Sequence, residues 1–199
     1  MKLYWMFLLL VGLVSCATNV PNGHPASKYE FEIRENFGDE EVPNALWLVD
    51  SKNKKALLKI QEGARMAVDG CKWNNDGSAA VVHVYRGTRV STLSVIRKSR
   101  GVFENVELDE SKLADVSADM FQRSDEQARS HIEMFHALGD WVDCKRFRFF
   151  GVFCDYASNK GYFVVRYSVD ISAAKPEAAV ERVIGWVADG ELERYTGSL

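Results

Sequence analysis

The sequence predicts an α+β domain, a mainly antiparallel sheet with one or two helices packed on it. Three observations predict it. Strict apolar/polar alternation marks half-buried strands, most clearly at Tyr29, Phe31 and Ile33 against Glu30, Glu32 and Arg34, and again from Phe163 to Ile171. Turn-forming clusters separate short apolar runs, as in hairpins. Between residues 110 and 138 the apolar residues instead recur at three- and four-residue steps, the period of a helix.

Taken in order, residues 29–34 form a strand with one wet face. Residues 45–49 and 56–60 are apolar runs joined by Asp50, Ser51, Lys52, Asn53 and Lys54, which reads as a hairpin. Residues 79–85 and 89–96 form a strand pair, preceded by a turn at Asn74, Asn75, Asp76 and Gly77. Residues 102–108 add a short strand. Leu113, Val116 and Met120 place a helix over 110–122. Ser124 with Gln127 has the form of a capping box, opening a second helix whose stripe is Ala128, Ile132, Phe135 and Leu138. From Cys144 the pattern returns to strand, with both faces apolar near Gly151, as expected for a central strand or a bulge. Residues 176–187 fit either a helix or, with 183–187 pairing 192–195 around Asp189 and Gly190, a hairpin; the Asp-Gly pair favours the hairpin.

The N-terminus carries a separate signal. Lys2 precedes an apolar run from Leu3 to Val14, within the roughly 7–15 residues of a secretory core and short of the ~20 that span a bilayer. Leu13, Val14, Ser15 and Cys16 resemble the bacterial lipobox. The resemblance covers only this leader, and it implies removal of residues 1–15 and acylation of the Cys16 thiol. Two or three acyl chains anchor stably where one is marginal. An ordinary cut after Ala17 also satisfies the small-residue rule. Ala17 follows the cysteine where an Asp favours inner-membrane retention in Gram-negative lipoproteins, so an outer-membrane address is expected in such a host. Residues 16–28, rich in Pro, Gly, Asn and Ser, read as a flexible tether, and 29–199 as a single domain.

Composition narrows the function. A net charge of −3 with no basic run argues against nucleic acid. With Cys16 lipidated, Cys71, Cys144 and Cys154 remain, so at most one disulfide forms in an oxidising compartment. On one straight strand Cys144 and Cys154 are too distant to bond. A bridge from Cys71 to either, or three small buried hydrophobes, are the alternatives.

Catalytic signatures are sparse. Trp73 through Gly77, followed by Ala79, Ala80, Val81 and Val82, resembles the Trp-containing turn of WD40-like propeller blades of the TolB type. It has no second copy, so it reads as a shared strand-turn-strand solution. His131 and His136 stand five apart, about 140° around a helix, where a zincin needs four. On the helical reading His131 lies at the core boundary and His136 at the surface. His83 opposes Val82 and Val84 and faces either solvent or a cleft. The Glu30 and Glu32 pair sits on a wet face. Trp47, Trp73, Trp141 and Trp186 lie in apolar runs, which makes them core rather than a binding platform. No metal site and no cofactor are expected. The reading is a membrane-anchored, exported envelope lipoprotein, a non-catalytic binding module whose partners are the membrane, through its lipid, and an envelope protein. The alternatives are an extracytoplasmic enzyme with a site assembled from dispersed residues, or a structural subunit of an envelope assembly.

Overall fold

The computed structural model describes residues 25–34, 44–63, 66–86, 90–109, 113, 132–155 and 161–196. The strands are β1 (Tyr29–Arg34), β2 (Asn44–Asp50), β3 (Ala56–Gly63), β4 (Met66–Trp73), β5 (Ala79–Arg86) and β6 (Val90–Ser99). They continue with β7 (Val102–Val106), β8 (Ile132–Trp141), β9 (Arg146–Asp155), β10 (Tyr162–Asp170) and β11 (Ala178–Val187). A four-residue helix, α1 (Glu193–Thr196), follows a 3-10 turn at Asp189–Glu191. The strands make three antiparallel meanders, ordered β1-β2-β3, β4-β5-β6-β7 and β11-β10-β9-β8.

This corrects the α+β expectation: among the described residues the fold is β-rich, with no helix packed as a layer. The expected second helix fails from Ile132 onward, where β8 pairs antiparallel with β9. The first expected helix and the start of the second lie outside the described residues, except Leu113, which is buried in the core. The C-terminal hairpin is also corrected. Residues 178–187 pair with β10, while Leu192 to Tyr195 turn into α1 instead of returning as a strand. Pro25–Lys28, inside the expected tether, forms a 3-10 turn with Ala26 fully buried.

The three sheets stack. Phe31, Leu46, Leu48 and Ile60 of the first sheet pack against Val68, Ala80, Val82, Val84 and Ile96 of the middle one. Ala79, Val81, Leu93 and Val95, on the opposite face of the middle sheet, pack against Phe147, Phe149, Phe163, Val165 and Tyr167 of the outer sheet. Stacked sheets lie about 10 Å apart. Strand β5 is therefore covered on both faces, which is why its sequence is a nearly unbroken apolar run. The far face of the outer sheet carries Val152, Val164 and Val187 under Leu192. The wet face of β1 is as expected, with Glu30 paired to Lys54 and Glu32 to Arg34.

The turn after Trp73 bolts the middle sheet to the outer one. Gly77 takes φ +68°, a conformation that suits glycine. Asn74, fully buried, accepts from the Ala79 amide at 3.0 Å and donates to Ser78 Oγ at 3.1 Å and to the Cys144 carbonyl at 3.0 Å. Asn74→Ala removes the partner of the Ala79 amide and of the Cys144 carbonyl. The expected loss is about 2–3 kcal/mol, read as a lower urea midpoint with an unchanged slope.

Candidate functional site

The second interlayer, otherwise apolar, holds a polar cluster. His83 lies on β5 with the parity of Ala79 and Val81, so it points into this layer and is 1% exposed. The pairing of β4 with β5 slips between Val68 and Gly70. Val68 stays with the first interlayer, Gly70 comes opposite His83, and Asp69 is the extra residue of the bulge. Bulges re-aim side chains in this way. Asp69 Oδ2 lies 3.0 Å from His83 Nδ1, and the Tyr85 ring lies 4.9 Å from the imidazole.

His136, on β8, reaches the same layer from the outer sheet and is also 1% exposed. Its backbone N–H donates to Ser91 Oγ at 2.8 Å, and its Nδ1 lies 3.1 Å from the Ser91 carbonyl and 3.2 Å from Ser91 Oγ. A carbonyl only accepts, so Nδ1 carries the proton and Nε2 is the acceptor nitrogen. Phe149 lies 5.9 Å from the ring, stacked on Tyr167 at 5.2 Å. Gly151 is opposite His136, and a Cβ there would stand 2.8 Å from Tyr167 Cε2. The missing side chain thus lets the Tyr167 ring lie across β9.

Burial sets the charge states. Loss of solvent pushes His83 below the ordinary histidine value, and the Asp69 hydrogen bond and charge recover only part of that. Burial, with the neighbouring His83, pushes His136 down to about 4, while the Ser91 bond works weakly in the other direction. Both imidazoles are neutral at pH 7. Burial raises the Tyr85 phenol, as does the Asp69 charge. Burial also raises that of Tyr167.

The cluster has the parts of a catalytic site in the wrong arrangement. A carboxylate on His83 Nδ1 orients the ring and leaves Nε2 as a base. That nitrogen, however, is buried and has no hydrogen-bond partner. The serine beside a histidine is Ser91, but the His136 nitrogen that faces it already holds a proton, so it cannot take another from the hydroxyl. A recess of about 370 Å³ lies elsewhere, beside β7, lined by Arg97, Glu104, Glu107 and Lys175 among others. Arg97 is already bonded there to Glu104 and to the carbonyls of Ile171 and Ala173.

Two site expectations change. His136 is buried on a strand rather than exposed on a helix, and His83 faces a closed layer rather than solvent or a cleft. Asp69 and Ser91 were not singled out by sequence. The signal for His83 was present, since Ala79 and Val81 share its parity. Cys16 and His131 lie outside the described residues. Cys71 and Cys154 are half-buried and Cys144 is exposed. Cys71 packs in the first interlayer, whereas Cys154, paired with Tyr162, lies on the far face of the outer sheet. The thickness of the stack between them excludes a bridge of that pair. Trp47, Trp73 and Trp141 are half-buried, and Trp186 is exposed on β11. Among the described residues no group of three or more His, Cys, Asp or Glu is placed to hold a metal, and no helix is long and apolar enough to cross a membrane.

No protein-family model matches the chain, and no curated protein matches it.

Proposed function

We propose that the chain is an exported lipoprotein, held to the cell envelope through Cys16, whose folded part is a binding module rather than an enzyme. The observation that carries the second half is the inward burial of the His83 imidazole, whose partner Asp69 stays at the sheet margin. The one described constellation that resembles acid–base machinery keeps its basic nitrogen where no substrate reaches it. The first half rests on Leu13, Val14, Ser15 and Cys16.

A structural role in an envelope assembly is the second reading. It is favoured by Val180, Val183 and Trp186, each more than 40% exposed on β11, the edge strand of the outer sheet. An exposed apolar row of this kind suits a protein surface. Register shifts along β11 and the charge of Arg182 oppose simple strand addition, so contact would be through side chains.

Labelling producing cells with radioactive palmitate tests the anchor. Label is expected in the mature chain and absent from Cys16→Ser. An unlabelled mature chain beginning at Thr18 would overturn the lipoprotein reading.

A further inference from the structure

The turns β2–β3, β4–β5, β6–β7, β8–β9 and β10–β11 lie at one end of the stack, and the described chain enters there. Pro25 and Ala26 lie against Gly77 of the β4–β5 turn. The Ser51 amide of the β2–β3 turn donates to the Lys28 carbonyl at 2.9 Å, and the Lys98 amide near the end of β6 donates to the Ser78 carbonyl at 2.6 Å. Asn74 holds the β8–β9 turn through the Cys144 carbonyl. The Ile171 amide, just past β10, donates to the Lys145 carbonyl at 2.9 Å. This end is basic although the chain carries a net charge of −3. Lys28, Lys52, Lys55, Lys98, Arg100 and Lys145 are exposed on it, and no described carboxylate pairs with them. The carboxylates of the same turns are engaged by their own backbone. Asp50, Asp76, Asp143 and Asp170 each accept the amide two residues on. Val102, 67% exposed, and Val142, 40% exposed, stand among the cations. Arg100 takes φ +49° ahead of Gly101 at +87°. Glycine or asparagine suits that first turn position, so an arginine is held there at a cost to the backbone.

We infer that this end of the stack is a second membrane contact, whose lysines and Arg100 lie on the anionic headgroups of the bilayer that the acyl chains enter. The choice of a lipid surface rests on the lipoprotein reading. The segment from Cys16 to Pro25 spans at most about 30 Å when fully extended, so the end it leaves from is the one brought to the bilayer. Tethering gives even a weak surface contact a high effective concentration. Each cation close to an anionic bilayer then adds about fivefold to the affinity. Exposed valines among cations suit the boundary between headgroups and acyl chains, where apolar side chains insert and charged ones stay in water.

The surface is tested apart from the anchor. The mature chain without acyl groups, residues 16–199 carrying Cys16→Ser, is sedimented with vesicles of mixed phosphatidylglycerol and phosphatidylcholine, and with vesicles of phosphatidylcholine alone. Binding to the anionic vesicles is expected to be at least about a hundredfold stronger, and to be lost in about 0.5 M salt. Lys52→Gln, Lys55→Gln and Arg100→Gly together are expected to remove most of that preference. Lys59→Gln, Arg182→Gln and Arg194→Gln together remove as much charge from β3, β11 and α1, and are expected to leave it nearly unchanged. Equal binding to both kinds of vesicle, equal loss in the two triple variants, or retention on polyglutamate beads without binding to vesicles would each overturn the lipid contact. Palmitate label in cells without a preference for anionic vesicles removes this contact and keeps the anchor. A preference without label keeps the contact and removes the anchor.

Discussion

Phe149→Ala is expected to cost about 4 kcal/mol, as do other fully buried aromatic truncations that leave a cavity. Phe149 is fully buried on the central strand β9. It is stacked on Tyr167 with 18° between the ring planes and borders His136. No neighbour can collapse into the gap easily, because β8 and β10 flank it in register on both sides. Phe149→Leu is expected to cost much less, since most of the volume stays filled. Urea unfolding of both variants measures the difference. The cavity should also admit water beside His136 and so raise its affinity for protons. Phe149→Ala is therefore expected to show a weaker dependence of stability on pH than the unaltered chain.

That dependence is the second large effect. His136 takes up its proton at about 4 when folded and at the ordinary 6.5 when unfolded. Between these values the unfolded chain binds the proton and the folded chain does not, so stability rises with pH there. The contribution is fully present above 6.5 and is lost as pH falls toward 4. The gap corresponds to about 3 kcal/mol. His83 adds to the loss in the same direction, since its folded value is also lowered. His136→Gln removes the largest single part, so its stability should change less between pH 7 and pH 4.5. Chemical unfolding at several pH values measures this; a slope as steep as that of the unaltered chain would contradict it.

Much of the sheet was legible because its strands alternate or are bounded by turn chemistry. β1 begins and ends where the alternation does, and β2 with β3 pair around the expected turn. β8 was misread for a physical reason. Met134, His136 and Leu138 face the inner layer while Phe135 and Ala137 face outward. With both faces apolar, alternation disappears, and a three-residue recurrence of Ile132, Phe135 and Leu138 imitates a helix. The register slip between Leu138 and Trp141 hides the strand further. β4 was hidden by the bulge at Asp69, which spaces Val68, Cys71 and Trp73 unevenly although all three face the first interlayer. β11 carries two such shifts. The site was half legible. The parity of His83 with Ala79 and Val81 marks it as buried, but its meeting with His136 depends on two sheets stacking, which no local pattern encodes.

Nitrogen-15 spectra of the histidine rings, followed from pH 8 to pH 4, test most directly whether the buried pair is a neutral element of the fold. His136 is expected to remain neutral with the proton on Nδ1 until about pH 4, and His83 to become charged only below the ordinary histidine value. Titration of His83 and His136 near 6.5 with the sheets still closed, or a proton on Nε2 at neutral pH, would contradict the account.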